Sequence, residues 1–298
     1  MTLLSRREVL AAALAASTAS AQTELRIDAH HHMWRYNAKE YDWIEGAPAL
    51  SKDFLLPQLR EVAKSAGITG FVSVQARTIV EETNFLLDLA AKEPLIKAVV
   101  GWVPLTDPGV AKIIEKFAGN KKLKGMRHVL QGEPNDYCLR PDFNKGVAAL
   151  EKAGLRYDVL IKESQLPNAI KFVDMHPKQT FILDHIAKPS IKTHVLSPWK
   201  ENMKELAKRQ NVYCKVSGMI TEADQKNWTA KDLQPYFDAT LDAFTPKRLM
   251  FGSDWPVELL AAPTYKKWFD TVNAAFQKLS ATERQRIFSG TAIEAYGL

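Results

Sequence analysis

The sequence predicts an α/β protein, a single (β/α)8 TIM barrel, and three observations carry that prediction. Eight apolar runs of strand length alternate with helical patterns along most of the chain. No linker, repeat or low-complexity stretch interrupts the alternation, so nothing divides it into two domains. The polar residues that break the apolar runs fall at the strands' C-terminal ends, which meet at one mouth in such a barrel. A doubly wound open sheet is the alternative, but no glycine-rich phosphate loop follows any strand.

Ahead of the first strand, residues 1–21 have the layout of an export signal. Arg6 and Arg7 open it, the apolar stretch 9–16 follows, and Ala19-Ser20-Ala21 ends it as an A-x-A cleavage site. The run Ser5-Arg6-Arg7-Glu8-Val9-Leu10 resembles the twin-arginine signal that exports folded proteins. The apolar stretch is too short to span a membrane, and no later segment is long and apolar enough. Residues 22–298 then form the barrel domain, expected in the periplasm or secreted.

Strands are expected at 25–30, 70–75, 98–103, 123–128, 156–161, 180–184, 212–216 and 248–253. Helices are expected between them at 54–65, 83–92, 110–118, 141–153, 167–175, 198–209 and 233–243, with 263–279 and 281–288 closing the chain. Gly67 and Gly154 stand where helices end before the next strand. Composition is ordinary for a globular protein, at 46% hydrophobic and 25% charged. The net charge of +6 is scattered; Lys200, Lys204 and Lys208 repeat at helical spacing, which makes a solvated face rather than a nucleic-acid stripe. The partner expected is a small molecule, which a mildly cationic surface favours if it is anionic. Cys138 and Cys214 fall in a loop and a strand and are expected as free thiols.

The first strand ends in Asp28-Ala29-His30-His31-His32. Alternation along a strand sends Asp28, His30 and His32 to one face. Two imidazoles there can bind one metal ion, or hold a carbonyl or water between them. Asp254 ends the eighth run in Phe251-Gly252-Ser253-Asp254-Trp255-Pro256, as a metal ligand, a general base toward water, or both in turn. Alternation groups His185 with Phe181 and Leu183 and puts Asp184 on the opposite face, yet His185 shares the rim with the other three residues. Gln75 ends the second strand. Lys124-Gly125-Met126-Arg127-His128 offers a guanidinium and an imidazole at the fourth, of which strict alternation admits one to the mouth. Lys124 is expected inside the barrel, paired with an inward carboxylate such as Asp28. Trp34, Tyr36, Tyr41 and Trp43 crowd the first loop, where they floor a substrate pocket or cap the barrel.

Taken in order, Asp28-x-His30-x-His32, Lys124-Gly125-x-Arg127-His128, Leu183-Asp184-His185-Ile186-x-Lys188-Pro189, Lys215-x-Ser217-Gly218 and Phe251-Gly252-Ser253-Asp254-Trp255-Pro256 resemble the amidohydrolase superfamily. The nearer likeness is its amidohydrolase-2 branch, which includes sugar and dicarboxylate lactonases. The resemblance spans essentially the whole domain. It implies a (β/α)8 fold and hydrolysis of a lactone ring, with Asp254 activating water while His30, His32 and His185 polarise the carbonyl. Arg127, His128 and Gln75 are the expected holders of a small polar ring. Many superfamily members carry a histidine on strand five, and 156–161 has none, which argues against a two-metal centre. One divalent ion such as zinc at His30, His32 and Asp254, or no metal at all, are the readings left. A metal-dependent decarboxylase of the same superfamily is the alternative function.

Overall fold

The computed structural model describes residues 25–117 and 119–298; the expected export signal at 1–21 lies outside them. Eight parallel strands follow one another around a single sheet in chain order. They are β1 (Ile27–His31), β2 (Gly70–Val74), β3 (Ile96–Gly101), β4 (Leu123–His128), β5 (Arg156–Val159), β6 (Phe181–Leu183), β7 (Val212–Val216) and β8 (Leu249–Phe251). Between them run α1 (Leu56–Ala66), α2 (Val80–Lys92), α3 (Val110–Glu115), α4 (Pro141–Lys152), α5 (Leu166–Asp174), α6 (Trp199–Leu206) and α7 (Ala230–Arg248). After β8 come α8 (Tyr265–Ala275), α9 (Ala281–Gln285) and α10 (Thr291–Tyr296). The sheet closes at its mouth, where Asp254 N donates to His30 O at 2.8 Å and His32 N to Trp255 O at 2.6 Å. This is the expected (β/α)8 barrel.

Local chemistry explains where elements start and stop. Proline opens α1, α4 and α5 within the first two positions, where its missing N–H costs nothing. Gly67 ends α1 at φ 64°, a left-handed residue that suits glycine. Ser280 and Glu283 cap α9 reciprocally, the Ser280 hydroxyl accepting from Glu283 N and the carboxylate from Ser280 N.

Two apolar layers follow from the pleat. Ile27, Ala29, Val72, Val74, Ala98, Val100, Ile182 and Met250 form the apolar part of the barrel interior, and Ala292, Ala295 and Tyr296 of α10 join the same cluster. The alternate residues, Phe71, Val99, Tyr157, Phe181, Leu183, Cys214 and Phe251 among them, pack outward beneath the helices. Helix α10 plugs the N-terminal end. Arg156 at the start of β5 donates to Ala295 O at 2.7 Å, and Lys124 at the start of β4 donates to Gly297 O, also at 2.7 Å.

Lys124 therefore lies at the bottom rim and not inside the barrel with Asp28. Asp28 itself faces outward, accepting from Tyr265 OH at 2.9 Å and Ser253 N at 2.9 Å. The reason is an irregularity in the β1–β2 register between Asp28 and His31. It lets Ala29 and His30, neighbours in sequence, both face inward, which strict alternation forbids. Cys138 and Cys214 are buried free thiols. Among the described residues no helix is long and apolar enough to cross a membrane.

Candidate active site

The mouth is a cavity of about 490 Å³ with His32, Gln75, Arg127, His185 and Asp254 on its wall. Each reaches it from a different strand end. Gly252 makes the closest approach possible, because a Cβ there would lie 2.9 Å from the His30 Cβ and 3.1 Å from that of Ser217. Asp254 turns in a left-handed conformation, φ 63°, which aspartate tolerates better than most residues. His185 is turned in by a run of positive φ from His185 to Lys188, so it leaves the outer face that alternation assigns it. Gly218 leaves room for that imidazole, since a Cβ would sit 2.6 Å from its Nδ1.

Three imidazoles surround one carboxylate oxygen. Asp254 Oδ1 lies 3.3 Å from His32 Nε2, 3.7 Å from His30 Nε2 and 3.9 Å from His185 Nε2. Burial pushes the Asp254 carboxyl up, but His185, His32 and His30 more than reverse this and hold it well below the usual carboxylate range. Burial lowers His185 to about 4, so its ring is neutral near pH 7. Burial, with the Lys215 charge, also keeps His30 well below its ordinary value.

The donor set suits a divalent ion. The His32 Nδ1 hydrogen goes to Val74 O at 2.8 Å, which leaves Nε2, 3.3 Å from Asp254 Oδ1, to meet the carboxylate with a proton or to share a cation with it. His30 Nε2 stands 3.2 Å from His32 Nε2, and tetrahedral zinc with bonds near 2.0–2.1 Å spaces its ligand atoms by about 3.3 Å. His30, His185 and Asp254 also offer ligand atoms within 4.8 Å of one another.

Beneath this cluster runs a buried ionic layer. Arg127 Nη1 pairs with Asp184 Oδ2 at 3.1 Å, and Lys215 Nζ with Asp184 Oδ1 at 2.9 Å and Asp158 Oδ2 at 2.6 Å. Burial raises both carboxyls; Lys215, His30 and Arg127 still hold Asp184 well below the usual range, while Asp158 is left at about 6. Arg127 Nη2 donates to Gln75 O at 2.5 Å and Gln75 Oε1 at 3.1 Å.

Of the residues singled out in the sequence, His30, His32, His185, Asp254, Arg127 and Gln75 come together. His128 does not. On the pleat it alternates with Arg127, so it points outward, stacks on Tyr137 at 5.3 Å and bonds Glu133 at 3.1 Å. In the first loop, Trp34 and Tyr41 are buried caps and Trp43 lines the cavity. The sequence reading gave no role to Lys215 or Asp158. Their signal is a charged residue inside a short apolar strand, which requires an opposite charge across the barrel.

A family profile described as amidohydrolase matches residues 27–298, nearly all of the barrel. The chain belongs to the amidohydrolase family. It is 42% identical over 287 residues to an L-fucono-1,5-lactonase of Burkholderia multivorans, covering 92% of this chain and 96% of that protein. An L-fucono-1,5-lactonase of Burkholderia ambifaria is 33% identical over 276 residues, with 91% and 95% covered. A crystal structure of an amidohydrolase from Burkholderia multivorans with bound zinc matches at TM-score 0.89 and 41% identity, over 92% of this chain and 99% of that one. This amidohydrolase is thus an enzyme that shares its fold and family with two proteins named as lactonases.

Proposed function

We propose that this amidohydrolase is a lactonase that opens a small, neutral, hydroxylated sugar-acid lactone. One observation carries the reading: the buried Asp254 carboxylate, ringed by His30, His32 and His185, on the wall of a cavity sized for a single ring. The naming of two relatives as lactonases supports it over a decarboxylase. The cavity's charges favour a neutral ring over a dicarboxylate. Its three cations already face acids: Arg127 on Asp184, Arg77 on Glu82 and Glu40, and Lys188 on Glu222. Asp42 and Asp254 on the same wall have no lysine or arginine partner among the described residues and would repel a substrate carboxylate.

In this reading Asp254 takes a proton from water as the water oxygen bonds the lactone carbonyl carbon. Ser217 Oγ is 2.9 Å from His185 Nδ1; when the hydroxyl donates there, Nε2 carries the hydrogen and donates to the oxyanion. Collapse breaks the ring C–O bond, and the proton on Asp254 passes to the departing alkoxide, leaving a hydroxy acid. His30, His32 and Asp254 would hold a divalent ion, which supplies Lewis-acid polarisation of the carbonyl.

A panel of lactones followed by acid release, with and without chelator, tests the substrate class. The expected result is turnover of hydroxylated neutral lactones and little of carboxylated ones. Preference for a dicarboxylate lactone would reject the charge argument, and decarboxylation without lactone turnover would reject the activity.

Export belongs to the same proposal, supported by Arg6, Arg7 and the Ala19-Ser20-Ala21 site. N-terminal sequencing of the protein recovered from its host is expected to begin at Gln22. An intact Met1 in the cytoplasm would reject it, and unaffected export after changing Arg6 and Arg7 to lysine would assign the general secretory route instead.

A further inference from the structure

Lys215 sits one residue before the end of β7, fully buried, with three partners, and no step above uses it. Its Nζ lies 2.6 Å from Asp158 Oδ2, 2.9 Å from Asp184 Oδ1 and 3.1 Å from His30 Nδ1. Asp158 is fixed in turn by the Tyr296 hydroxyl of α10, which donates to Oδ2 at 2.7 Å. We propose that Lys215 is a positioning residue that decides which nitrogen of His30 carries the hydrogen, and thereby competes with a divalent cation for that imidazole.

An ammonium has three hydrogens and no lone pair, so its three neighbours are all acceptors. His30 Nδ1 is then an acceptor, and a neutral ring with an acceptor at Nδ1 carries its hydrogen on Nε2. The neighbour awaiting that hydrogen is His32 Nε2 at 3.2 Å, whose own Nδ1 hydrogen is committed to Val74 O at 2.8 Å. The chain from Lys215 through His30 and His32 to Val74 has one donor and one acceptor at every contact.

A cation on His30 Nε2 needs the other form, with the hydrogen on Nδ1. In that form Arg127 Nη1 lies 3.3 Å from Nε2, and Asp184 Oδ1, 3.2 Å from Nδ1 but off the hydrogen-bond line, must turn to accept from it as a carboxylate does from a metal-bound imidazole. A neutral ring has one lone pair in its plane, so it cannot accept from Lys215 and Arg127 together. Lys215 is the nearer of the two and is anchored by two carboxylates. The cation-free ring takes the Lys215 form, and binding an ion costs the rearrangement to the Asp184 form.

The competition rests on the cation site proposed above; the hydrogen's position does not. Histidine-labelled, metal-free protein is compared by 15N NMR as wild type, Lys215→Met, and Lys215→Met with Asp158→Asn. The double change removes the cation together with one of its carboxylates, so it remains informative where the single change unfolds. The wild-type spectrum is expected to show His30 protonated at Nε2, and the variants to show it at Nδ1. Zinc affinity, read by competition with a chromophoric chelator, is expected to rise about tenfold in the folded variant. Loss of a merely structural lysine would weaken zinc binding instead. His30 protonated at Nδ1 in the wild type, or the same form in all three proteins, would overturn the role of Lys215. A shifted hydrogen with zinc bound by none of them would overturn the cation site and the competition with it.

Discussion

Asp254→Asn is expected to leave a folded barrel that turns over a confirmed lactone about 10²- to 10⁴-fold more slowly, the usual cost of losing a general base. The amide keeps the size of the carboxylate, and asparagine accepts the left-handed backbone, φ 63°, that position 254 requires. Its backbone bond to His30 O, which helps close the barrel, is untouched. The side-chain amide can meet His32 Nε2, 3.3 Å from Oδ1 in the native protein, with its oxygen or, after a flip, its NH2, so it suits that nitrogen with or without a hydrogen. Stability should therefore hold while turnover collapses. The checks are kcat on the lactone and the thermal midpoint of the same preparation. Turnover like that of the wild type would remove Asp254 from the chemistry.

The barrel was legible because its code is redundant. Eight runs such as Phe71-Val72-Ser73-Val74 and Val212-Tyr213-Cys214-Lys215-Val216 have strand length and recur between helical patterns, so errors at any one end do not change the architecture. The ends did shift: β3 begins at Ile96 rather than 98, and β8 spans Leu249–Phe251 rather than 248–253. Helix α10 escaped notice because the helix expected at 281–288 continues through a π-helical segment, Arg286–Gly290, in which Gly290 reads as a stop. The clustering of His30, His32 and Asp254 was legible from their place at strand ends. The face each one takes was not. At β1 the register irregularity turns Ala29 and His30 the same way, and nothing in Ile27-Asp28-Ala29-His30-His31 marks it. At His185 the chain enters the left-handed region for four residues without a glycine, so no local signal says that the imidazole leaves the side of Leu183. Lys215 gives the opposite lesson. A lysine between cysteine and valine in a short strand announces a buried charge, but only the closed barrel shows that Asp158 and Asp184 answer it.

Arg127→Met is expected to lower kcat/KM by about 10²-fold, and by the same factor for a hydroxylated lactone and an unsubstituted one. The sequence suggested a guanidinium that grips the substrate's polar groups, which would make the loss selective. The geometry points its donors elsewhere. Nη1 is on Asp184 and faces His30, and Nη2 is on the carbonyl and side-chain oxygen of Gln75. Methionine fills similar space but frees Gln75 and leaves Asp184 to Lys215 alone, so the layer that carries His30 loosens beneath any substrate. Breaking a buried ion pair from one side typically costs about 3–5 kcal/mol, so the thermal midpoint should fall as well. That separates Arg127 from Asp254, whose loss removes turnover and spares stability. If the hydroxylated lactone suffers much more than the plain one, Arg127 reaches the substrate's substituents after all, and the guanidinium must release Gln75 when the ring binds. If both lactones and the midpoint are unchanged, neither Asp184 nor Gln75 needs Arg127, and the ionic layer depends on Lys215 alone.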